Sequence, residues 1–138
     1  MELATNIINK LKELVSENET LIKTREQELL TLKRYTKYEE KLGELLAKKN
    51  THLHLMLATQ YRISNHNANK PLFDLITLFI QQKSELLKMD RDELHLSERL
   101  LDEEGTMLAF KRHTFNSMNT IQRLQEEILE LQNKELES

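Results

Sequence analysis

Ser64-Asn65-His66-Asn67-Ala68-Asn69-Lys70-Pro71 is the only cluster of turn-forming residues in this chain of 138, which otherwise holds two glycines and no second proline. Pro71 biases Lys70 away from helical geometry and suits the first position of a new helix. Asp74 would then fall in that helix's first turn, where its charge favours the helix dipole. So few glycines and prolines cannot supply the turns that a sheet protein needs, so the composition predicts an all-α fold.

The pattern on either side of this cluster is helical. On the N-terminal side, apolar residues recur at spacings of three and four through Ile7, Ile8, Leu11, Leu14, Val15, Leu21, Ile22, Leu29, Leu32, Tyr35, Leu42, Leu45, Leu46, Leu53, Met56 and Leu57. On the other side the period runs through Phe73, Ile76, Ile80, Leu87, Leu94, Leu101, Leu108, Phe115 and Met118, and closes on Ile121, Leu124, Ile128 and Leu131. The turn lies near the midpoint, so the reading is one helical domain over 1–138, with a helix over 3–64, a turn over 65–71 and a helix over 72–137. Folded as a long antiparallel, coiled-coil-like hairpin, each arm would be about 90 to 100 Å long.

Charge supports that pairing. Residues 1–69 carry eleven Lys/Arg and nine Asp/Glu, whereas residues 70–138 carry nine and fourteen. In a hairpin folded near residue 68, position i faces about position 136 minus i, which sets residues 33–49, balance +3, against residues 87–103, balance −3. Exposed ion pairs contribute only about 0 to 1 kcal/mol each, so this match supports the register, the alternative being that both blocks are solvated faces. Gly43 and Gly105 lie within the two helical patterns. If both break their helices, the chain becomes a compact four-helix bundle instead of a hairpin.

Adjacent apolar pairs, Ile7/Ile8, Leu14/Val15, Leu21/Ile22, Leu45/Leu46, Leu86/Leu87 and Leu100/Leu101, widen the apolar stripe beyond a two-stranded seam. A lone hairpin would leave part of that stripe wet, so the chain is expected to self-associate or to dock on partner helices. Asn18, Arg25, Asn50, Lys83 and Asp90 interrupt the stripe at core-like positions, where buried polar groups set register or oligomer state. Drift of a 3.6-residue helix against a seven-residue repeat would place them outside the seam instead. The acidic C-terminal stretch has the cleanest heptads, and Met118, Ile121, Leu124, Ile128 and Leu131 are its candidate partner-binding residues. The alternative is that they pack against Leu11 to Leu21.

The sequence offers little for chemistry. It has no cysteine, and therefore neither a disulfide nor a thiolate metal site. His52 and His54, two apart, point to different sides of a helix, and Asp92 with His95 has no second copy to complete a carboxylate-bundle metal site. There is no glycine-flanked serine elbow, phosphate loop or HExxH. The expectation is therefore a protein that is not an enzyme, with no cofactor, no metal and no small-molecule substrate.

Lys33 to Lys49 is the only basic stretch, and its interleaved glutamates argue against nucleic acid and against anionic lipid. With no apolar leader and no spanning segment, the chain reads as cytoplasmic. Three functions fit: an assembly or adaptor subunit that acts by helix–helix docking, a small export or assembly chaperone for an amphipathic client helix, or a peripheral membrane-binding helical dimer.

Overall fold

The computed structural model describes residues 2–65 and 69–137. It consists of two long helices, α1 (Glu2–Ser64) and α2 (Asn69–Glu137), that pack against each other as a helical hairpin. At the end of α1, Asn65 donates from both its backbone N–H and its side-chain amide to the Tyr61 carbonyl, at 3.0 and 2.9 Å. This occupies one of the four acceptors that a helix end leaves open. Arg62 sits in the same last turn, a favourable place for a cation. Residues 66–68 of the expected turn lie outside the described residues. Helix α2 begins three residues earlier than expected, and Pro71 is accommodated in its first turn, where its missing N–H would have no partner anyway. The earlier start leaves Asp74 beyond the first turn, which carries no acidic residue.

Both helices run unbroken through the two glycines, and neither glycine has a positive φ. A methyl group built at Gly43 or Gly105 would meet nothing within 4 Å, so no close approach demands glycine at either place.

The side chains of α1 that turn inward follow strict three-four alternation. Ile7, Leu14, Leu21, Glu28, Tyr35, Leu42, Lys49, Met56 and Ile63 form one line, and Leu3, Lys10, Glu17, Thr24, Thr31, Tyr38, Leu45, His52 and Thr59 form the other. These are the a and d positions of a heptad repeat. On α2 the a line is Leu72, Phe79, Leu86, Glu93, Leu100, Met107, Thr114, Ile121 and Ile128. Its d line is Leu75, Gln82, Met89, Leu96, Glu103, Phe110, Ser117, Leu124 and Leu131.

The packing divides into two compact units, Met1–Lys33 with Glu103–Ser138, and Arg34–Asp102. In the first unit Ile121, Leu124 and Ile128 are buried, with Leu124 only 1% exposed. Thr24 and Thr31 are buried in the same unit, their hydroxyls donating to the carbonyls of Thr20 and Gln27, four residues back, at 2.9 and 3.0 Å. That back-bonding lets a seam position be polar without an orphaned hydroxyl. Lys10 Nζ lies 2.8 Å from Glu127 Oε2, one residue from the expected partner at 126.

In the second unit Met56 and Leu75 are buried with Thr59, whose hydroxyl donates to the Leu55 carbonyl at 3.1 Å. Lys49 reaches Asp90 Oδ1 at 2.6 Å and Glu93 Oε2 at 2.7 Å. Lys49, at the end of the basic block, therefore meets two carboxylates of the acidic block, somewhat displaced from the expected partner at 87. His52 Nε2 lies 2.6 Å from the Gln82 carbonyl oxygen, and since a carbonyl only accepts, this nitrogen carries the proton.

Candidate functional site

The six adjacent apolar pairs of the sequence resolve in one way. In each, the first residue (Ile7, Leu14, Leu21, Leu45, Leu86, Leu100) turns into the seam, and the second (Ile8, Val15, Ile22, Leu46, Leu87, Leu101) is exposed. The exposed members fall at heptad positions b and e, about 100° around the helix from the seam. Of the 24 large apolar side chains exposed among the described residues, 20 stand at b or e, two of the seven heptad positions. Scattered exposed leucines are ordinary on a protein surface, whereas contiguous apolar patches of more than a few hundred Å² are rare on monomers.

In the first unit the stripe consists of Ile8, Leu11, Val15, Ile22, Leu29 and Leu32 on α1, with Leu108, Phe115, Met118, Leu129 and Leu136 on α2. The two lines share one side of the helix pair, because in an antiparallel pair the e residues of one helix flank the e residues of the other. Arg25 and Met118, both at e, show this contact, with Nη2 3.7 Å from the sulfur. Two grooves open on the same side. One, of about 460 Å³, lies between Arg25, Leu29 and Leu32 and Met107, Lys111 and Thr114. The other, of about 550 Å³, lies between Asn18, Leu21 and Arg25 and Phe115, Met118, Ile121 and Gln125. The opposite side of this unit is polar: a cleft of about 450 Å³ there is lined by Lys12, Glu13, Ser16, Glu17, Thr120, Arg123 and Leu124.

In the second unit the stripe consists of Leu46, Leu53 and Leu57 on α1, with Phe73, Ile76, Ile80, Leu87, Leu94 and Leu101 on α2. Phe73 is 72% exposed and Leu101 67%, although both belong to the apolar series that the sequence offers as the core line of α2.

The five polar residues singled out in the sequence, Asn18, Arg25, Asn50, Lys83 and Asp90, are all exposed and stand at b or e, on this second face and not in the seam. Asp90 takes part in the Lys49 ion pair, and the Lys83 ammonium sits 5.6 Å from the Phe79 ring centre. The polar residues in the seam are others: Lys10, Glu17, Thr24, Glu28, Thr31, Lys49, His52 and Thr59 on α1, and Gln82, Glu93, Glu103, Thr114 and Ser117 on α2. Only the unbroken three-four count through them signals their place.

Of the five C-terminal partner-binding candidates, Ile121, Leu124 and Ile128 are buried in the chain's own seam and Leu131 is half-buried there, which leaves Met118 exposed. Of the alternative, packing against Leu11 to Leu21, one contact region is defined: Leu21 and Ile121 line the same groove. Carboxylates and histidines show no convergent arrangement among the described residues: His95 Nδ1 lies 3.9 Å from Glu98 on the same exposed helix face.

Three charged groups respond to their partners. The hydrogen bond to Glu127 raises the Lys10 pKa, and the reciprocal bond holds the Glu127 carboxyl below the ordinary carboxylate range. Hydrogen bonds to Asp90 and then Glu93 raise that of Lys49. No described helix is long and apolar enough to cross a membrane. No known protein family, curated protein or solved structure matches the chain.

Proposed function

We propose that this is a non-catalytic interaction protein, an assembly or adaptor subunit that works by docking helices on its b and e face. The observation that supports this reading most is the second apolar stripe at the same seven-residue spacing as the seam, because a coiled-coil stripe is satisfied by another helix of matching period. The same proposal takes the chain as a long hairpin and not a four-helix bundle folded at Gly43 and Gly105, on the support of helical backbone at both glycines.

The test is purification of the tagged protein from its native cells beside a variant carrying Leu87→Glu and Leu94→Glu. A stable stoichiometric assembly, of copies or with a second protein, that the variant loses is the expected result. A wild-type chain recovered alone as a monomer would end the reading.

A chaperone for an amphipathic client helix is the second reading, favoured by the two open grooves of the first unit. Transient binding to an unassembled client, in place of a permanent complex, would select it. The membrane-bound dimer is the weakest, because the face carries no surplus of cations; vesicle sedimentation with anionic lipid tests it.

A further inference from the structure

We infer that the occupant of the b and e face is a second copy of this chain, so that two helix pairs close into a four-helix arrangement. This rests on the helix-docking reading and adds the identity of the partner.

Three observations carry it. The first is extent. The face carries 11 exposed large apolar side chains in the first unit and nine in the second, and a stable interface takes roughly 20 to 30 residues a side.

The second is charge. The b positions hold no charged residue, and the e positions hold Arg25, Lys83 and Lys111 against Glu39, Asp90 and Glu104. A face with three charges of each sign meets its own copy without net repulsion, and it selects neither an acidic nor a basic partner.

The third is form. In each unit the face spans two helices, with a groove between their e lines in the first. A third helix would fill that groove and leave the outer b lines wet. A second two-helix face of the same period covers both. Isologous pairing of one patch with itself is also the commonest way for copies to associate.

The test is sedimentation equilibrium of the full chain over a wide concentration range. The expected species is a dimer, twice 16.4 kDa. Leu94→Glu with Leu101→Glu should weaken the dimer at least a hundredfold, because each glutamate would be buried without a partner, while helicity is retained. Leu30→Glu, at an exposed position off the face, should leave the mass unchanged.

Because the chain has no tryptophan, Leu101→Trp gives a milder second readout. Its emission should be blue-shifted at dimer concentrations and shift to the red on dilution, whereas Leu30→Trp should stay red throughout. A wild-type monomer at about 100 μM, a dimer indifferent to the paired glutamates, or emission of the Leu101→Trp variant that is independent of concentration would each overturn the inference. The first of these leaves a heteromeric docking role standing, and purification from native cells then decides that role separately.

Discussion

Replacing Leu124 by alanine gives the sharpest test of which stripe is inside. The side chain is 1% exposed, between the two helices of its unit and next to buried Ile121 and Ile128. Truncating a fully buried leucine removes its transfer free energy and leaves a partly collapsed cavity, at about 3 to 5 kcal/mol. A two-helix seam lies close to solvent and collapses readily, so the lower end, about 3 kcal/mol, is expected.

At about 2.1 cal/mol/K of unfolding entropy per residue, a chain this long loses about 10 °C of Tm for that change. Leu30→Ala is the control. Leu30 is 55% exposed and lies on neither the seam nor the b and e face. Both substitutions gain the same small helix propensity, so packing alone separates them. Thermal unfolding followed by helical circular dichroism, at one fixed protein concentration, should show the large shift for Leu124→Ala and less than about 2 °C for Leu30→Ala. Equal shifts, or a Leu124→Ala shift under about 3 °C, would refute the assignment of the seam.

Gly105→Ala should stabilise the chain by about 0.5 to 1 kcal/mol, since it lies in helix with open space around it, and a rise in the urea midpoint checks this. Cross-helix ion pairing should be flat around neutral pH and fade at both extremes. Glu127, whose pKa is depressed, adds stability above the ordinary carboxylate value of 4.5 that is lost as pH falls through its lower folded value. Lys10 and Lys49, whose pKa values are raised, add stability below 10.5 that is lost as pH climbs through their higher folded values. Urea unfolding across pH should show both losses in the wild type, a weaker acid loss in Glu127→Gln and a weaker alkaline loss in Lys49→Met. Asn18→Leu and Asn50→Leu extend the exposed face, so each should leave the stability of the dilute monomer within about 0.5 kcal/mol and tighten self-association on sedimentation.

The two helices and the approximate register of their pairing within each unit are legible from the apolar period and the positions of opposite charge. Which stripe turns inward is harder, because two stripes run along the same helix and period alone ranks neither. On α2 the most regular apolar line, Phe73, Ile80, Leu87, Leu94, Leu101, Leu108 and Phe115, is exposed. Its e neighbours explain this: with Lys83, Asp90, Ser97, Glu104 and Lys111 at e, that face is apolar at five positions over five heptads, whereas a and d supply seven over the same heptads, Phe79, Leu86, Met89, Leu96, Leu100, Met107 and Phe110. The richer stripe is buried first.

The same competition misplaces Asn18 and Lys83, which share heptad lines with Leu11 and Ile76 and so look like core positions. Lys10 and Lys49 go unnoticed in the sequence because their seam places are satisfied by carboxylates on the other helix, Glu127 in one unit and Asp90 with Glu93 in the other.

Zero-length carbodiimide cross-linking of an equal mixture of unlabelled and ¹⁵N-labelled protein, followed by mass spectrometry, tests the antiparallel pairing most directly. The 2.8 Å contact of Lys10 with Glu127 and the contacts of Lys49 at 2.6 Å to Asp90 and 2.7 Å to Glu93 predict amide links between those residues, each within a single isotope population. Lys10–Glu127 or Lys49–Asp90 and Lys49–Glu93 links that join the two isotope populations, or links of Lys10 and Lys49 to carboxylates several turns away, would contradict the fold and the face built upon it.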